Sequence, residues 1–224
     1  MARPWVTLER AETADGILEL RRRGESDFLI LLASRVLMNS SAHRSEQALA
    51  SEACARLAGR ASPSLLIGGL GMGFTLRAAL DALPAAARVR VAELHPCVIA
   101  WCRTLLAPLT GGAALDPRVA IEPGDVGARI RRAAAGSERF DAILLDLYTG
   151  PGAGEACFEA GMLSATRAAL APGGVYAVWS EQPDPAFERR LRAAGFDAVR
   201  SRPGRGGLRH AVYTATPIQR RRAG

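Results

Sequence analysis

From Ser64 to Pro217 the chain alternates short apolar runs with segments of helical apolar periodicity, and no other feature limits its fold so strongly. The runs SLLIG, RVRVAEL, RVAIEP, FDAILLDL and GGVYAVWS read as strands. The segments FTLRAALDAL, PCVIAWCRTLLAPL, VGARIRRAAA, EAGMLSATRAAL and PAFERRLRAAG read as the helices that follow them. Strands joined by helices of this length imply right-handed crossovers, and therefore an α/β fold with a doubly wound, mostly parallel, Rossmann-like sheet. The last two predicted strands, FDAVRSR and RHAVYTATP, are joined only by PGRGGL, so the sheet is expected to end in an antiparallel hairpin.

The N-terminal part reads differently. WVTLER, GILELRRR and DFLILLASRVLM are strand-like and are separated by turn signals at ADG and RGES. The segment AHRSEQALASEACARLAG then shows helical periodicity and a closing glycine. The expected division is a small N-terminal β-strand appendage over residues 1–41 and a cofactor-binding domain over residues 42–224.

Composition narrows the functional classes. The chain has 224 residues and is 49% hydrophobic, as expected of a globular domain with a real core. The net charge is +7 and no lysine occurs, a usage typical of a GC-rich bacterial coding bias. The arginines are dispersed and not interleaved with aromatics, so nucleic-acid binding is not expected. Arg21–Arg23 is read as a solvated strand face and Arg220–Arg222 as a loose tail. Cys54, Cys97, Cys102 and Cys157 form no CxxC pair, so buried free thiols and no metal site are expected. No stretch approaches the roughly 18 apolar residues of a membrane span, and a cytoplasmic protein without membrane partners is expected.

In a doubly wound sheet, ligands lie over the carboxyl ends of the strands. The residues just past those ends are Gly69, Gly71 and Gly73, then Glu93, then Asp125, then Asp146. A glycine turn between strand and helix suits a dinucleotide, a lone nucleoside cofactor or simply a tight turn. Glu93 follows it by about twenty residues, the spacing of an acid that accepts ribose hydroxyls. Asp125, in the PGD segment, is placed to accept from an adenine amino group. The terminal hairpin favours an adenosyl-sulfonium cofactor, S-adenosylmethionine or its decarboxylated form, over a dinucleotide.

The ordered set HRSEQALA, LLIGGLGMGFTLR, VAEL, DPRV, PGD and FDAILLDLYTGP resembles the spermidine synthase-like (polyamine aminopropyltransferase-like) family, within the class I S-adenosylmethionine-dependent methyltransferase fold. The corresponding family patterns include GGGDGGxLR, VEID and YDVIIxDxxDP. The resemblance implies that Gly69, Gly71 and Gly73 lie under the cofactor, that Glu93 holds its ribose, that Asp125 meets the adenine and that Asp146 is the acid beside the reacting amine. It also implies substrate contacts from Glu46 in the gate helix and from positions 72 and 149. There the family's aspartates are replaced by Met72 and Thr149. Tyr148 and Glu181 follow strands at the ligand edge and are further acceptor contacts, while residues 150–154 are read as a lid or an ordinary loop. Trp179 is assigned to packing, His95 to a cap-like role, His43 to the helix start and His210 to a structural role in the hairpin.

These residues imply a transferase that moves an aminopropyl or other alkyl group to a small amine acceptor. Each lost acid removes about 1.5–3 kcal/mol of charge-assisted hydrogen bonding to a polyamine, so orthodox putrescine is not the expected acceptor. A small-molecule methyltransferase and a non-catalytic nucleoside-binding protein remain as alternatives. The resemblance also implies a homodimer.

Overall fold

The computed structural model describes residues 3–147, 155–203 and 210–218. Two sheets are present among these residues. β1 (Val6–Thr13), β2 (Gly16–Arg23), β3 (Asp27–Leu32) and β4 (Arg35–Asn39) form an antiparallel meander. Alternation decides its faces: Leu18 and Leu20 of β2 and Phe28 and Ile30 of β3 point inward and are buried. On β2, Glu19 points outward and pairs with Arg10 and Arg21.

DFLILLASRVLM was expected to be one strand, and the structure divides it in two. Ala33 (φ 46°) and Ser34 (φ 67°) both adopt left-handed backbone, which turns β3 back into β4. Such a two-residue turn usually announces itself by Asn or Gly, and here neither is present.

After α1 (Arg44–Ala55), the second sheet begins with β5 (Ser64–Gly68). It continues through α2 (Phe74–Ala82), β6 (Arg88–Glu93), α3 (Pro96–Arg103), β7 (Val119–Pro123), α4 (Val126–Ala135), β8 (Phe140–Leu145), α5 (Ala160–Ala169), β9 (Leu170–Ser180), α6 (Pro185–Ala193), β10 (Phe196–Ser201) and β11 (Ala211–Pro217). The strand order is β10-β11-β9-β8-β5-β6-β7. β5 through β9 are parallel, and β11 inserts antiparallel between β9 and β10. The expected parallel sheet and terminal hairpin are therefore present. α3 is shorter than the periodicity of PCVIAWCRTLLAPL suggests: Thr104, at φ −127° and ψ −91°, leaves helical backbone, and the chain then tightens into a 3₁₀ turn over Ala107–Thr110.

The sheet is buried on both faces, as its near-continuous apolar runs require, and successive residues of a strand enter different layers. Leu65, Ile67, Ala142 and Leu144 face the core shared with α1, α2, α3 and the N-terminal meander. Leu66, Ile143, Leu145, Tyr176 and Val178 face α4, α5 and α6. After β5 the chain builds β6 and β7 on one side and then crosses to build β8 and β9 on the other. The order thus switches at β5, and the carboxyl ends of β5 and β8 lie side by side at the switch point.

Candidate functional site

The glycine turn rises from the end of β5. Gly69, Gly71 and Gly73 all have positive φ, at 86°, 53° and 85°. The strongest demand for glycine comes from the protein itself: a Cβ on Gly69 would lie 2.2 Å from the Asp146 carbonyl oxygen. A Cβ on Gly71 would lie 2.8 Å from Cε of Met38, which reaches over from β4. The turn's amides are also largely engaged. Gly69 N–H donates to Ala92 O (2.9 Å), Leu70 N–H to Glu93 Oε2 (2.7 Å), Met72 N–H to Met38 Sδ (3.2 Å) and Gly73 N–H to Leu70 O (2.8 Å). A pyrophosphate cradle needs such amides aimed at the ligand. With four amides of this turn bound internally, a dinucleotide fits it poorly, whereas a nucleoside can lie over it without needing them.

Three acids converge above the turn from three elements. Glu93 ends β6 and is only 6% exposed; its carboxylate accepts from Leu70 N–H and from His95 N–H (2.9 Å). Glu46 lies in the first turn of α1, 5% exposed, and accepts from Ser45 Oγ–H at 2.6 Å. Asp146 follows β8; its amide is fixed to Gly68 O (2.9 Å) and its Oδ2 accepts from Thr75 Oγ1–H at 2.6 Å. Burial, then the negative charge of Glu46, push the Asp146 carboxyl up to about 7; the Thr75 bond opposes this, and Glu93 adds a smaller upward push. Among the described residues, no arginine or histidine forms an ion pair with Glu46, Glu93 or Asp146. The arrangement favours a cation, since a bound positive charge would stabilise all three ionised acids at once.

The remaining predicted residues are spread more widely. Asp125 is exposed and caps α4, accepting Ala128 N–H at 2.7 Å, with Arg131 3.6 Å from the same oxygen. Gly124 N–H donates to Glu93 O (2.8 Å), which keeps the PGD segment beside the end of β6. Met72 is fully buried within the core, so its side chain packs inward and is not presented to a groove. Glu181 is exposed past the end of β9. Tyr148, Thr149 and residues 150–154 lie outside the described residues, as does Arg220–Arg222.

His95 occupies the N-cap of α3 without a side-chain cap bond, and its Nε2 lies 3.7 Å from Asp15 in the β1–β2 turn. His43 stacks on Phe74 at 4.3 Å and bonds Ser40 O through Nδ1 (2.9 Å). Trp179 packs against the core with its indole edge-on to His210.

The sequence reading missed four contributors: Met38, Ser45, Thr75 and the polar role of His210. Ser45 and Thr75 are ordinary helix hydroxyls by sequence, and Met38 looks like any apolar strand residue. Only the approach of β4, α1 and the end of β8 to the glycine turn gives them a task. Cys102, expected as an inert buried thiol, donates from Sγ to Gly71 O at 3.1 Å, and burial pushes its thiol up to about 12.

Residues 52–189 match the family model described as the spermine/spermidine synthase domain. The polyamine aminopropyltransferase of Corynebacterium efficiens is 40% identical over 91 residues, which is 41% of this chain and 17% of that protein. Putrescine N-methyltransferase 2 of Nicotiana attenuata is 34% identical over 117 residues, 52% of this chain and 30% of that one. The alignments thus span less than a third of the length of either relative. The spermidine synthase from Thermotoga maritima superposes with a TM-score of 0.74 at 19% identity, over 95% of this chain and 74% of that one. A spermidine synthase crystallised with the transition state analogue AdoDATO gives 0.75 at 20% identity, over 93% and 72%.

Proposed function

The chain belongs to the spermine/spermidine synthase domain family, and we propose that it moves an aminopropyl or other alkyl group from an adenosyl-sulfonium cofactor to a small amine. The observation that carries this reading is the set of three acids, Glu46, Glu93 and Asp146, held beside the glycine turn without ion-pair partners among the described residues in a chain of net charge +7. Burying carboxylates without a counterion is costly, and a cationic ligand offsets that cost.

In this reading Gly69, Gly71 and Gly73 form the cofactor floor, Glu93 accepts from the ribose and Asp125 sits at the adenine end. Residues 1–41 act as an appendage whose Met38 closes over the turn, and residues 42–224 form the cofactor-binding domain. The sulfonium, when bound, supplies an electrophilic carbon and a neutral thioether leaving group. Asp146 orients the acceptor nitrogen and takes its proton. A free alkylamine has a pKa near 10, so a carboxyl raised to about 7 is a better match for that proton than an ordinary one near 3.8. At neutral pH a carboxyl near 7 is partly ionised, so Asp146 keeps a deprotonated fraction able to accept the amine proton.

A second reading, methyl transfer, is favoured by the similarity to putrescine N-methyltransferases. Both reactions are displacements at carbon beside the same sulfonium, and the position of the nucleophile selects the carbon attacked. Calorimetric titration with S-adenosylmethionine, its decarboxylated form and methylthioadenosine separates the readings. Aminopropyl transfer requires preference for the decarboxylated form by about tenfold, and methyl transfer requires tight binding of the intact cofactor. Failure of all three to bind would leave a non-catalytic chain.

A further inference from the structure

We propose that the C-terminal hairpin holds Glu46 toward the acceptor amine through a hydrogen-bonded chain, His210 Nδ1–H to Ser45 Oγ and Ser45 Oγ–H to Glu46 Oε2, which makes Ser45 and His210 positioning residues. The inference rests on the proposed transfer for its catalytic meaning and on geometry for its existence. The two links measure 2.9 and 2.6 Å and join residues 165 positions apart in the sequence.

Their direction follows from the chemistry of the groups. An ionised carboxylate only accepts, so the single hydroxyl proton of Ser45 is committed to Glu46. Ser45 Oγ must then accept from the imidazole, which places a proton on Nδ1 of His210. Both Ser45 and Glu46 are buried, so water does not readily replace the link between them, while the link to His210 is part-buried.

The chain belongs to a longer seam. Ser201 Oγ donates to Glu52 Oε1 at 2.6 Å, and Arg56 Nη2 donates to Thr214 Oγ1 at 3.3 Å. Positions 45, 52 and 56 lie seven and four residues apart, which places them along one face of α1. The side of α1 that meets the hairpin therefore carries polar contacts at three levels, with buried Leu49 between them, and its N-terminal end carries the site glutamate. Trp179, edge-on to the His210 ring at a centroid distance of 4.9 Å, limits how that ring can turn. A hairpin that would otherwise only extend the sheet thus fixes the side chain of an acid on the helix packed against it.

Two measurements on the full chain test this. Imidazole nitrogen shifts in the free protein should report His210 as the Nδ1–H tautomer, and Ser45→Ala should abolish that preference. In steady-state assays with an amine acceptor, Ser45→Ala and His210→Phe should raise KM about tenfold, with a smaller change in kcat and cofactor affinity within about threefold. His210→Asn, whose amide nitrogen can take the place of Nδ1, should restore most of the loss. An unchanged tautomer in Ser45→Ala overturns the chain itself. Equal impairment in His210→Asn and His210→Phe, or an unchanged KM in all variants, overturns the positioning role. If no adenosyl-sulfonium compound binds the wild-type chain, the proposed transfer and the positioning role fall together, while the tautomer measurement still decides the hydrogen-bonded chain.

Discussion

The acids of this protein live in two unlike settings. Along the amino ends of the strands and the β7 flank, each acid faces arginine: Asp116 pairs with Arg118 (2.9 Å), Asp141 with Arg60, Glu122 with Arg90 (2.8 Å) and Arg132 (3.0 Å), and Glu138 with Arg90 and Arg129. At the carboxyl ends of β5, β6 and β8, Glu93 and Asp146, with Glu46 from α1 beside them, meet hydroxyls and backbone amides instead. The carboxyls respond accordingly. Arg118 holds Asp116 down to about 2, whereas burial lifts Asp146 to about 7. Acids of the first kind support the native state on their own, and those of the second kind are left for a cationic ligand to complete. A chain with an excess of seven positive charges had ample means to neutralise them.

The largest effect expected from breaking this contrast is at Asp146. Asp146→Asn should lower turnover by about 10²- to 10⁴-fold and leave cofactor affinity within a few-fold; unchanged turnover removes Asp146 from the mechanism. The same variant should stabilise the unliganded protein at high pH. The native carboxyl keeps its proton up to about 7 while the unfolded chain releases it near 3.8, so wild-type stability falls as pH rises through that window. Melting curves of the two proteins should coincide near pH 3.5 and separate in favour of the variant by pH 8, and coincidence at pH 8 would show that Asp146 is not strained.

Glu93→Ala should weaken adenosine-containing ligands by about ten- to a hundredfold, through loss of the ribose acceptor and of the bonds that hold Leu70 and His95. Affinity retained in calorimetry would argue against the ribose assignment. The smallest effect belongs to the paired setting. Asp116→Asn should cost about 1 kcal/mol in urea unfolding at pH 7 and leave turnover unaltered. Asp116 has a depressed carboxyl, so its contribution is present above pH 3.8 and fades as pH falls toward 2. The deficit of the variant should disappear in acid, and a deficit that persists there would mean that the bidentate pair with Arg118 does not account for it.

Much of the fold was legible because its signals are local and periodic. β2 and α4 fall at the expected residues, and the terminal hairpin follows from a connection too short for a crossover. The turn at Ala33–Ser34 was hidden because its left-handed backbone is carried by residues that rarely adopt it. Within the site, Gly69, Glu93 and Asp146 stand at strand ends, where position in the alternation predicts them. Met72 was harder: spacing placed it in the turn, but spacing does not tell which way a side chain faces, and the structure turns it into the core.

The sequence by itself determined a doubly wound sheet, a glycine turn past β5 and acids past β6 and β8, since strand alternation and turn length are written in neighbouring residues. Tertiary structure alone decided what those residues touch. Gly69 is required by the carbonyl of Asp146, Met38 covers the turn from another sheet, and Ser45 stands between Glu46 and a histidine 165 residues away. Such contacts depend on how separate elements pack, and residues distant in sequence acquire a shared electrostatic environment only once the chain has closed around them.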